Sequence, residues 1–544
     1  MSPPPNSPSR KNGKPPAYAV SRRRPRLPRR WLTAFAGIFL LGAAWAFATP
    51  YDGTPDEMQH IMRASGVVHG DIAPEGITFE SGTDGKRTIT DQATGAEQTV
   101  AKSLVRENCW AFSSNRTVAC AQEPGGDDTL VKVPTRAGRY NPVYYLLVGW
   151  PLALSPDWTG VMGARLTSLA LTSALLSAAL VAVTSWTRRR LMIAGAIAAL
   201  TPITMHMSAA VNPSGLEIAA GFALFATLTP IFLDPGAPVR RPALVVALIA
   251  ALTIVTLRSL GPAWLVIILL VLAVPRGRLL LKRAWARRGT RAGLVAVALA
   301  AVAGAAWTVV MRVNEAAPQA DTPDFSFLGA VKVEIVLRWG DYLTEMIGRT
   351  SWLDVTMPFS MYYLWYSFLA ALVLPALMLA RRADRVRLAC LIALVFLVPT
   401  VSDAWGAAEY GFMAQGRYLL PFAVGVPMIA ALALDRIALL DRARTTRVIR
   451  SFALVLWPAQ LVFLVYTMVR WQSGVRNNVS HVRVNPLNGP WHPPLGSVLP
   501  LVLGVCGVAV LVWFAFRVTR DLPARIASAT DLGNERREKL SITA

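Results

Sequence analysis

Long apolar runs separated by basic clusters are the feature that most constrains how this chain can fold. Of the 544 residues, 54% are hydrophobic and 16% are charged, whereas a soluble protein carries roughly a quarter charged residues. A run of about 20 apolar residues is long enough to cross a bilayer as a helix, and a helix satisfies its own backbone hydrogen bonds in lipid. The sequence therefore predicts an all-α integral membrane protein.

About twelve transmembrane helices are predicted. Their approximate positions are 31–48, 160–186, 191–211, 214–233, 242–257, 261–274, 292–311, 359–380, 388–402, 418–435, 451–469 and 496–516. Twelve crossings put both termini in the cytoplasm, and every basic cluster then falls on the cytoplasmic side, as the positive-inside rule requires. We therefore expect a multi-pass protein of the bacterial inner (plasma) membrane.

The predicted membrane domain covers residues 31–516. Residues 1–30 are rich in Pro, Ser and Arg and are expected to be a disordered cytoplasmic tail. Residues 517–544 form a second cytoplasmic tail. The largest extracytoplasmic loops are predicted at 50–140, directly after the first crossing, and at 312–358.

Two segments keep alternative interpretations. Counting residues 141–155 as a crossing would move the downstream arginine clusters to the outside. We interpret them instead as a helix at the outer interface, which suits Tyr144, Tyr145 and Trp150, although the sequence does not decide whether they span. The Gly- and Thr-rich stretch Ser81–Thr99 is expected either to form a small β-hairpin or to stay irregular.

The net charge of +23 does not indicate a nucleic-acid partner. Its basic residues lie at the ends of apolar runs, and no basic patch with interleaved aromatic residues lies on a soluble segment.

The four cysteines fall into two groups. Cys109 and Cys120 lie in the first predicted extracytoplasmic loop, where oxidising conditions permit a disulfide. Cys390 and Cys506 lie in apolar runs and are expected to be packing residues. No Cys-x-x-Cys pattern or Cys/His cluster supports a metal site.

Two acids and a histidine follow the first apolar run. If a helix begins near Pro55, Asp56 or Glu57 shares a face with His60. Acids in the first turn also stabilise a helix, so catalysis and helix capping remain alternative roles.

Other polar residues gather at the outer ends of the predicted helices. They are Asn212, Glu217, Arg258, Trp352, Asp354, Gln415, Arg417 and Tyr418. An ionisable group just inside the bilayer, such as Glu217, is costly and is therefore a functional candidate. Arg258 and Arg417 lie on the outer face, where a guanidinium suits a phosphate or anchors a helix at the interface.

Acids and arginines at one interface fit sugar transfer from a lipid-linked phosphate. A carboxylate would take the proton of the acceptor hydroxyl while cations hold the leaving phosphate, and Asp56 is the predicted base. Asp56 and Glu57 could also hold a divalent cation, so the metal requirement stays open and no cofactor is predicted with certainty.

Five motifs resemble a family of bacterial polytopic membrane proteins known as domain of unknown function 2142. They are Pro55-Asp56-Glu57-x-x-His60, Asn141-Pro142-x-x-Tyr145, Asn212-Pro213-x-Gly215-Leu216-Glu217, Trp352-Leu353-Asp354 and Gln415-Gly416-Arg417-Tyr418-x-x-Pro421. That family is similar to the GT-C integral-membrane glycosyltransferases, which use polyprenyl-phosphate-linked sugars. The resemblance implies a GT-C-like fold, with Asp56 as base, Glu57 as its neighbour or substitute, and Arg417 facing the donor phosphate. Arg258 would be a second phosphate ligand, although it stands where many relatives are expected to carry lysine.

The predicted function is thus a GT-C-like glycosyltransferase. It would move a hexosyl or pentosyl unit from a polyprenyl-phosphate donor to a cell-envelope glycan or glycoprotein on the extracytoplasmic side. Two alternatives remain: a transporter or flippase for a lipid-linked saccharide, and a non-catalytic component of envelope-polysaccharide assembly. A transporter would need polar residues near the bilayer midplane, whereas the centres of these apolar runs are nearly uncharged.

Overall fold

The described part of the chain is a bundle of membrane helices with a small sheet in its first long loop. The computed structural model describes residues 27–82, 90–186, 190–234, 240–273, 285, 288–315, 325–475 and 485–520. Most of the two predicted tails therefore lies outside the described residues. Residues 27–30 belong to the first helix and residues 517–520 to the last one.

Eighteen α-helices make up most of the described part of the chain. They are α1 (Leu27–Ala48), α2 (Glu57–Val68), α3 (Pro142–Leu154), α4 (Trp158–Ser185), α5 (Met192–Ala199), α6 (Pro202–Ser208), α7 (Pro213–Leu233), α8 (Arg241–Leu257), α9 (Gly261–Ala273), α10 (Arg288–Val310), α11 (Phe327–Val333), α12 (Trp339–Gly348), α13 (Phe359–Leu379), α14 (Arg382–Tyr410), α15 (Gly416–Ala423), α16 (Gly425–Arg436), α17 (Arg442–Ser473) and α18 (Val498–Arg520). A π-helical turn, Glu334–Arg338, joins α11 to α12.

Within the described ranges, nine helical stretches are long and apolar enough to cross a membrane. They are α1, α4, α7, α10, α13, α14, α15 together with α16, α17 and α18. This confirms the predicted helical membrane architecture. Three further predicted crossings correspond to the α5–α6 pair and to the shorter helices α8 and α9, so the count of twelve stays a prediction.

Antiparallel packing of α1 and α4 defines the two faces of the bundle. Arg165, near the start of α4, donates to the carbonyls of Ala46 and Thr49 at the end of α1, at 3.2 and 2.7 Å. At the other end, the indole N–H of Trp31 donates to the carbonyl of Ala174. We call the face where α1 ends and the first long loop begins the loop face.

Helix α3 lies on the loop face beside α4. Its 13 residues extend roughly 20 Å, which is shorter than a hydrocarbon core of about 30 Å. The Tyr144 hydroxyl lies 2.9 Å from Ser168 Oγ on α4, whereas Leu146 and Trp150 are exposed on the opposite side. An interfacial position suits this division into a packed side and an exposed apolar side.

A proline divides the predicted span 191–211 into two helices. Helix α5 ends at Ala199, and α6 begins at Pro202. Thr201 between them is extended, because a residue that precedes proline avoids the helical region.

Three antiparallel strands cover α2. They are β1 (Gly76–Gly82), β2 (Thr90–Ala101) and β3 (Leu130–Thr135), in the order β1-β2-β3. The Gly- and Thr-rich stretch thus contributes to a hairpin, although residues 83–89 lie outside the described chain. Arg63 of α2 is buried and donates to Gln98 Oε1 of β2 and to the carbonyls of Asp71, Ile72 and Tyr140, which fixes the sheet to the helix.

The structure pairs two of the cysteines and leaves the other two free. A disulfide joins Cys109 to Cys120, with a Cα–Cα distance of 6.2 Å. Cys390 and Cys506 are free and exposed on their helices, so they are not the packing residues that the apolar runs predicted.

Candidate active site on the loop face

An ion pair between the turn after α1 and the start of α15 forms the centre of the candidate site. Arg417 Nη2 donates to Asp56 Oδ2 at 2.6 Å. The Asp56 side chain is 43% exposed and the Arg417 side chain 1%. The carboxylate is therefore accessible to a ligand, while the guanidinium is held in the protein behind it.

Asp56 does not cap α2, although it precedes the helix. Its backbone is left-handed, with φ of 66°, and its side chain makes no capping hydrogen bond. Asp52 takes that role, since its Oδ1 accepts from Met58 N at 2.9 Å and its Oδ2 from Asn108 Nδ2 at 2.8 Å. The sequence left catalysis and helix capping open for Asp56. In the structure, Asp52 caps the helix instead.

The titratable groups of this turn have different charge states. Partial burial raises the pKa of Asp56, but the charge and the hydrogen bond of Arg417 outweigh this effect, and the pKa lies below its ordinary value. Burial raises the pKa of Asp52 to about 8. Burial, followed by the charge of Arg258, lowers the pKa of His60 to about 3. At neutral pH, Asp56 is therefore ionised, Asp52 is mostly protonated and His60 is neutral.

Glu57 faces the protein interior and is bound to Arg165. Arg165 donates from Nε and Nη2 to the two carboxylate oxygens at 2.7 and 2.6 Å, and both side chains are fully buried. Val211 N also donates to Glu57 Oε1 at 3.2 Å. Although the sequence paired Glu57 with Asp56 as a catalytic or cation-binding neighbour, the structure engages both Glu57 oxygens in this ion pair.

The residues around Asp56 form no cluster with the composition of a metal site. Asp56 bonds to Arg417 and Glu57 to Arg165. Among all the residues that the structure describes, no group of three or more His, Cys, Asp or Glu is arranged to hold a metal ion.

His60 lies one helical turn from Asp56 and packs between tyrosines. Its backbone N–H donates to the Asp56 carbonyl at 3.1 Å. Its Nδ1 is 2.8 Å from the Tyr145 hydroxyl, and its ring centre is 5.9 Å from those of Tyr140 and Tyr145. The buried Nε2 has no hydrogen-bond partner among the described residues.

Tyr418 lies between two arginines. The guanidinium carbons of Arg258 and Arg417 are each 4.9 Å from the centre of its ring, and Arg417 Nη2 donates to its hydroxyl at 3.0 Å. Arg258 is also 6.0 Å from the ring of Tyr140 and donates to Ser214 Oγ at 3.1 Å. Two guanidinium groups around one ring make a place that suits an anion.

A groove with a volume of about 250 Å³ begins beside Arg258 and Tyr418. Its lining includes Tyr140, Glu217, Val255, Leu257, Trp264, Gly304 and Trp307. Helix α10 forms one wall and approaches α8 closely, since a Cβ at Gly304 would lie 2.7 Å from the Val255 carbonyl oxygen. No residue of α10 is buried, so this wall faces the surroundings of the protein.

Glu217, predicted from its place in an apolar helix, lines this groove near Arg258. It is buried, and its Oε1 has no hydrogen-bond partner among the described residues. The structure thus brings Glu217, Arg258, Arg417 and Tyr418 to one place.

Asn212 supports the Asp56 turn. Its Nδ2 donates to the Pro55 carbonyl at 3.0 Å, and its Oδ1 accepts from Ser214 N at the start of α7. Arg417 Nη1 donates to the same Pro55 carbonyl at 3.3 Å. Asn212 therefore positions the residue that precedes Asp56.

Trp352 and Asp354 make contacts that position loops, whereas Gln415 differs from them. The indole N–H of Trp352 donates to the Asp52 carbonyl at 2.7 Å. Asp354 accepts from Arg470 Nη2 at 2.6 Å. Gln415 precedes α15, and its buried Oε1 has no partner among the described residues.

Sequence reasoning missed Arg165, Tyr140 and Asp52. An arginine within the apolar run 160–186 was a usable signal, because a charge inside a membrane helix requires a partner. Nothing in the sequence marked Tyr140 or Asp52, whose contacts depend on turns of the chain.

Comparison with known proteins identifies the family. A family model described as predicted membrane protein (DUF2142) matches residues 39–426. No curated protein matches the chain. Among solved structures, the chain is similar to the crystal structure of ArnT from Cupriavidus metallidurans bound to undecaprenyl phosphate, with a TM-score of 0.40 and 15% identity over 92% of this chain and 79% of that chain. Since the family model matches well over half of the sequence, the chain belongs to the DUF2142 family of predicted membrane proteins, as its motifs indicated.

Proposed function

We propose that this protein is a glycosyltransferase that moves a sugar from a polyprenyl-phosphate donor to a cell-envelope glycan or glycoprotein. The observation that carries the proposal is an accessible, ionised carboxylate, Asp56, in contact with buried Arg417. Arg417 also bonds to Tyr418, which lines a groove with one wall formed by the exposed helix α10. This combination offers a base, an anion site and a path for a lipid chain.

In the proposed complex, the donor phosphate binds at Arg258 and reaches Arg417 by displacing part of its contact with Asp56. Arginine matches phosphate oxygens with paired N–H groups. The aromatic and aliphatic lining of the groove, with Val255, Leu257, Trp264 and Trp307, would accept the first isoprene units. The remaining chain would leave along α10 into the bilayer.

Transfer then requires one proton acceptor and stabilisation of one leaving group. Asp56 takes the proton of an acceptor hydroxyl as its oxygen bonds to the anomeric carbon of the sugar. The bond from that carbon to the donor phosphate oxygen breaks, and its electron pair leaves with the polyprenyl phosphate. Arg417 and Arg258 stabilise the negative charge that develops on this phosphate.

The ion pair of Asp56 with Arg417 couples donor binding to base strength. A donor phosphate competes with Asp56 for Arg417 Nη2, the atom that now lies 2.6 Å from the carboxylate. Losing part of that contact raises the proton affinity of Asp56, because a nearby positive charge lowers the pKa of a carboxyl group. The base therefore becomes more effective after the donor has bound.

We propose that the loop face is extracytoplasmic and that both termini are cytoplasmic, in a bacterial plasma membrane. The Cys109–Cys120 disulfide of the first long loop supports this orientation, since disulfides persist in oxidising compartments.

The test is sugar transfer from radiolabelled hexosyl and pentosyl polyprenyl phosphates in membranes that contain matched amounts of wild type, Asp56→Asn or Arg417→Ala. Removing a general base typically lowers the rate roughly 10²- to 10⁴-fold. Asp127→Asn is the matched control, because Asp127 is on the same loop, is 46% exposed and pairs with Lys102. We expect transfer by wild type and Asp127→Asn and little by the other two variants.

Full activity of a folded Asp56→Asn variant would remove Asp56 as the base. Movement of labelled donor across the bilayer without transfer would favour the transporter alternative. An unchanged envelope in cells carrying Asp56→Asn or Arg417→Ala would favour a non-catalytic role in assembly.

A further inference from the structure

An exposed phenylalanine lies beside the Asp56 turn. Phe112 is 63% exposed, although burial of a side chain of this size would be favourable. Its ring centre is 5.2 Å from that of Trp352, in an edge-to-face arrangement. Trp352 in turn donates its indole N–H to the Asp52 carbonyl, so the aromatic pair is attached to the turn that carries Asp56.

Left-handed backbone conformations gather around this pair. Seven described residues other than glycine have positive φ, and five of them lie in the segments that meet here. These five are Asp52, Asp56, Phe112, Ser351 and Leu353. Such conformations are unfavourable for side chains with a Cβ and persist chiefly where the surrounding structure fixes them, often at ligand sites.

The position of Phe112 is fixed by bonds that lead to the candidate active site. The Cys109–Cys120 disulfide closes the turn that contains it. Asn108 accepts from Ala111 N through Oδ1 at 2.9 Å and donates through Nδ2 to Asp52 Oδ2 at 2.8 Å. The backbone that carries the ring is thus held in place before any ligand arrives, which lowers the entropy lost on binding.

The surroundings of Phe112 suit a carbohydrate better than a lipid. The chain continues from it as Ser113-Ser114-Asn115-Arg116, and Asn115 and Arg116 are exposed. An anchor in the bilayer interface would be expected to have further apolar residues beside it. The exposed ring of Phe112 offers a stacking surface for the C–H face of a sugar, and the polar residues that follow it in the chain supply hydrogen-bonding groups.

We propose that Phe112 and Trp352 form a subsite that binds one saccharide unit of the acceptor. Its identification with the acceptor rests on the proposed sugar transfer. Saccharide binding itself does not depend on that reaction. Stacking at this subsite would hold the acceptor chain beside Asp56, where its hydroxyl is to lose a proton.

The experiment measures saccharide binding directly, by saturation-transfer-difference NMR on the full-length protein in detergent. The probes are gluco-, manno-, galacto- and arabino-oligosaccharides of two to four units. Phe112→Leu keeps an apolar side chain at the same backbone position but removes the ring, whereas Phe112→Trp keeps an aromatic face. Phe359→Leu is the matched control, since Phe359 is also 63% exposed and lies beside another ring, that of Tyr363.

We expect wild type, Phe112→Trp and Phe359→Leu to bind the same saccharide with similar affinity. Phe112→Leu should bind it roughly three- to tenfold more weakly, the range expected for one aromatic contact. Equal affinity of Phe112→Leu and wild type would overturn the subsite, as would the absence of binding to every oligosaccharide of the panel. Saccharide binding without sugar transfer would keep the subsite and remove the proposed reaction.

Discussion

Replacing Arg165 with methionine removes the donor of five hydrogen bonds from a fully buried position. Two of these bonds go to Glu57, and three go to the carbonyls of Ala46, Thr49 and Pro50. After the replacement, the Glu57 carboxylate keeps one contact among the described residues, from the backbone N–H of Val211 at 3.2 Å. Methionine fills much of the same volume, so the loss is mainly electrostatic.

The expected magnitude follows from these contacts. Breaking a buried ion pair by removing one partner costs about 3–5 kcal/mol, and the three carbonyls that lose their donor add to that cost. Glu57→Gln is milder, because the amide oxygen still accepts from Arg165 and the carbonyl contacts remain. A lost hydrogen bond to a charged group costs roughly 1.5–3 kcal/mol. The three carbonyls lose their donor only in Arg165→Met, so this variant should be destabilised by at least about 2 kcal/mol more than Glu57→Gln.

The assay is thermal unfolding of the purified variants in one detergent, followed by tryptophan fluorescence. We expect the melting midpoint to be highest for wild type, lower for Glu57→Gln and lowest for Arg165→Met, which should melt several degrees below wild type. Arg312→Met is the control, because the Arg312 side chain is 75% exposed and lies 3.9 Å from Glu315; surface ion pairs of this kind contribute little. Sugar transfer per folded molecule should be similar in wild type and Glu57→Gln.

Two outcomes would refute this reasoning. An Arg165→Met midpoint equal to that of wild type would mean that the ion pair does not stabilise the fold. A stable Glu57→Gln variant without transfer would return Glu57 to the chemistry, as the sequence first suggested.

Of four further predictions, two concern the pH dependence of stability, one the donor site and one the disulfide. Burial raises the pKa of Asp52 from 3.8 to about 8. As pH rises between these values, the unfolded state releases the Asp52 proton before the folded state does, so the free energy of unfolding falls. The melting midpoint of Asp52→Asn should therefore decline less over this pH range than that of wild type. Burial lowers the pKa of His60 from 6.5 to about 3. As pH falls below 6.5, the unfolded state binds a proton at His60 before the folded state does, so stability is lost. The melting midpoint of His60→Gln should therefore fall less in acid than that of wild type. Arg258→Ala should raise the KM for the donor roughly tenfold or more and leave the KM for the acceptor unchanged, as measured by transfer at varied concentrations of each. Cys120→Ser should lower the midpoint, since a disulfide typically stabilises by about 2–4 kcal/mol, and a reductant should lower the midpoint of wild type but not of this variant, which retains an unpaired Cys109.

Hydropathy predicted where the bundle lies in the membrane better than where its helices end. Helix α7 was predicted at 214–233 and occupies Pro213–Leu233. Helix α14 was predicted at 388–402 but extends from Arg382 to Tyr410, because its charged ends continue the helix beyond the apolar run. Apolar composition indicates contact with lipid, whereas the ends of a helix depend on backbone hydrogen bonds.

The sequence predicted a group of polar residues at one face but could not assign their individual contacts. Asp56 and Glu57 are adjacent, yet one faces an accessible site and the other the interior. Their separation follows from the left-handed backbone of Asp56 and from Arg165, which a distant helix supplies. Neither can be read from the spacing of two acids.

The exposed wall of the groove determines in which units the concentration of a lipid-linked donor would be measured. Helix α10 has no buried residue, so a lipid-linked donor would reach Arg258 by diffusing within the membrane plane. Its effective concentration would then be a number of molecules per unit of membrane area, not per volume of solution. Diluting a vesicle suspension with buffer should leave the turnover of each protein molecule unchanged, whereas adding carrier lipid should slow it.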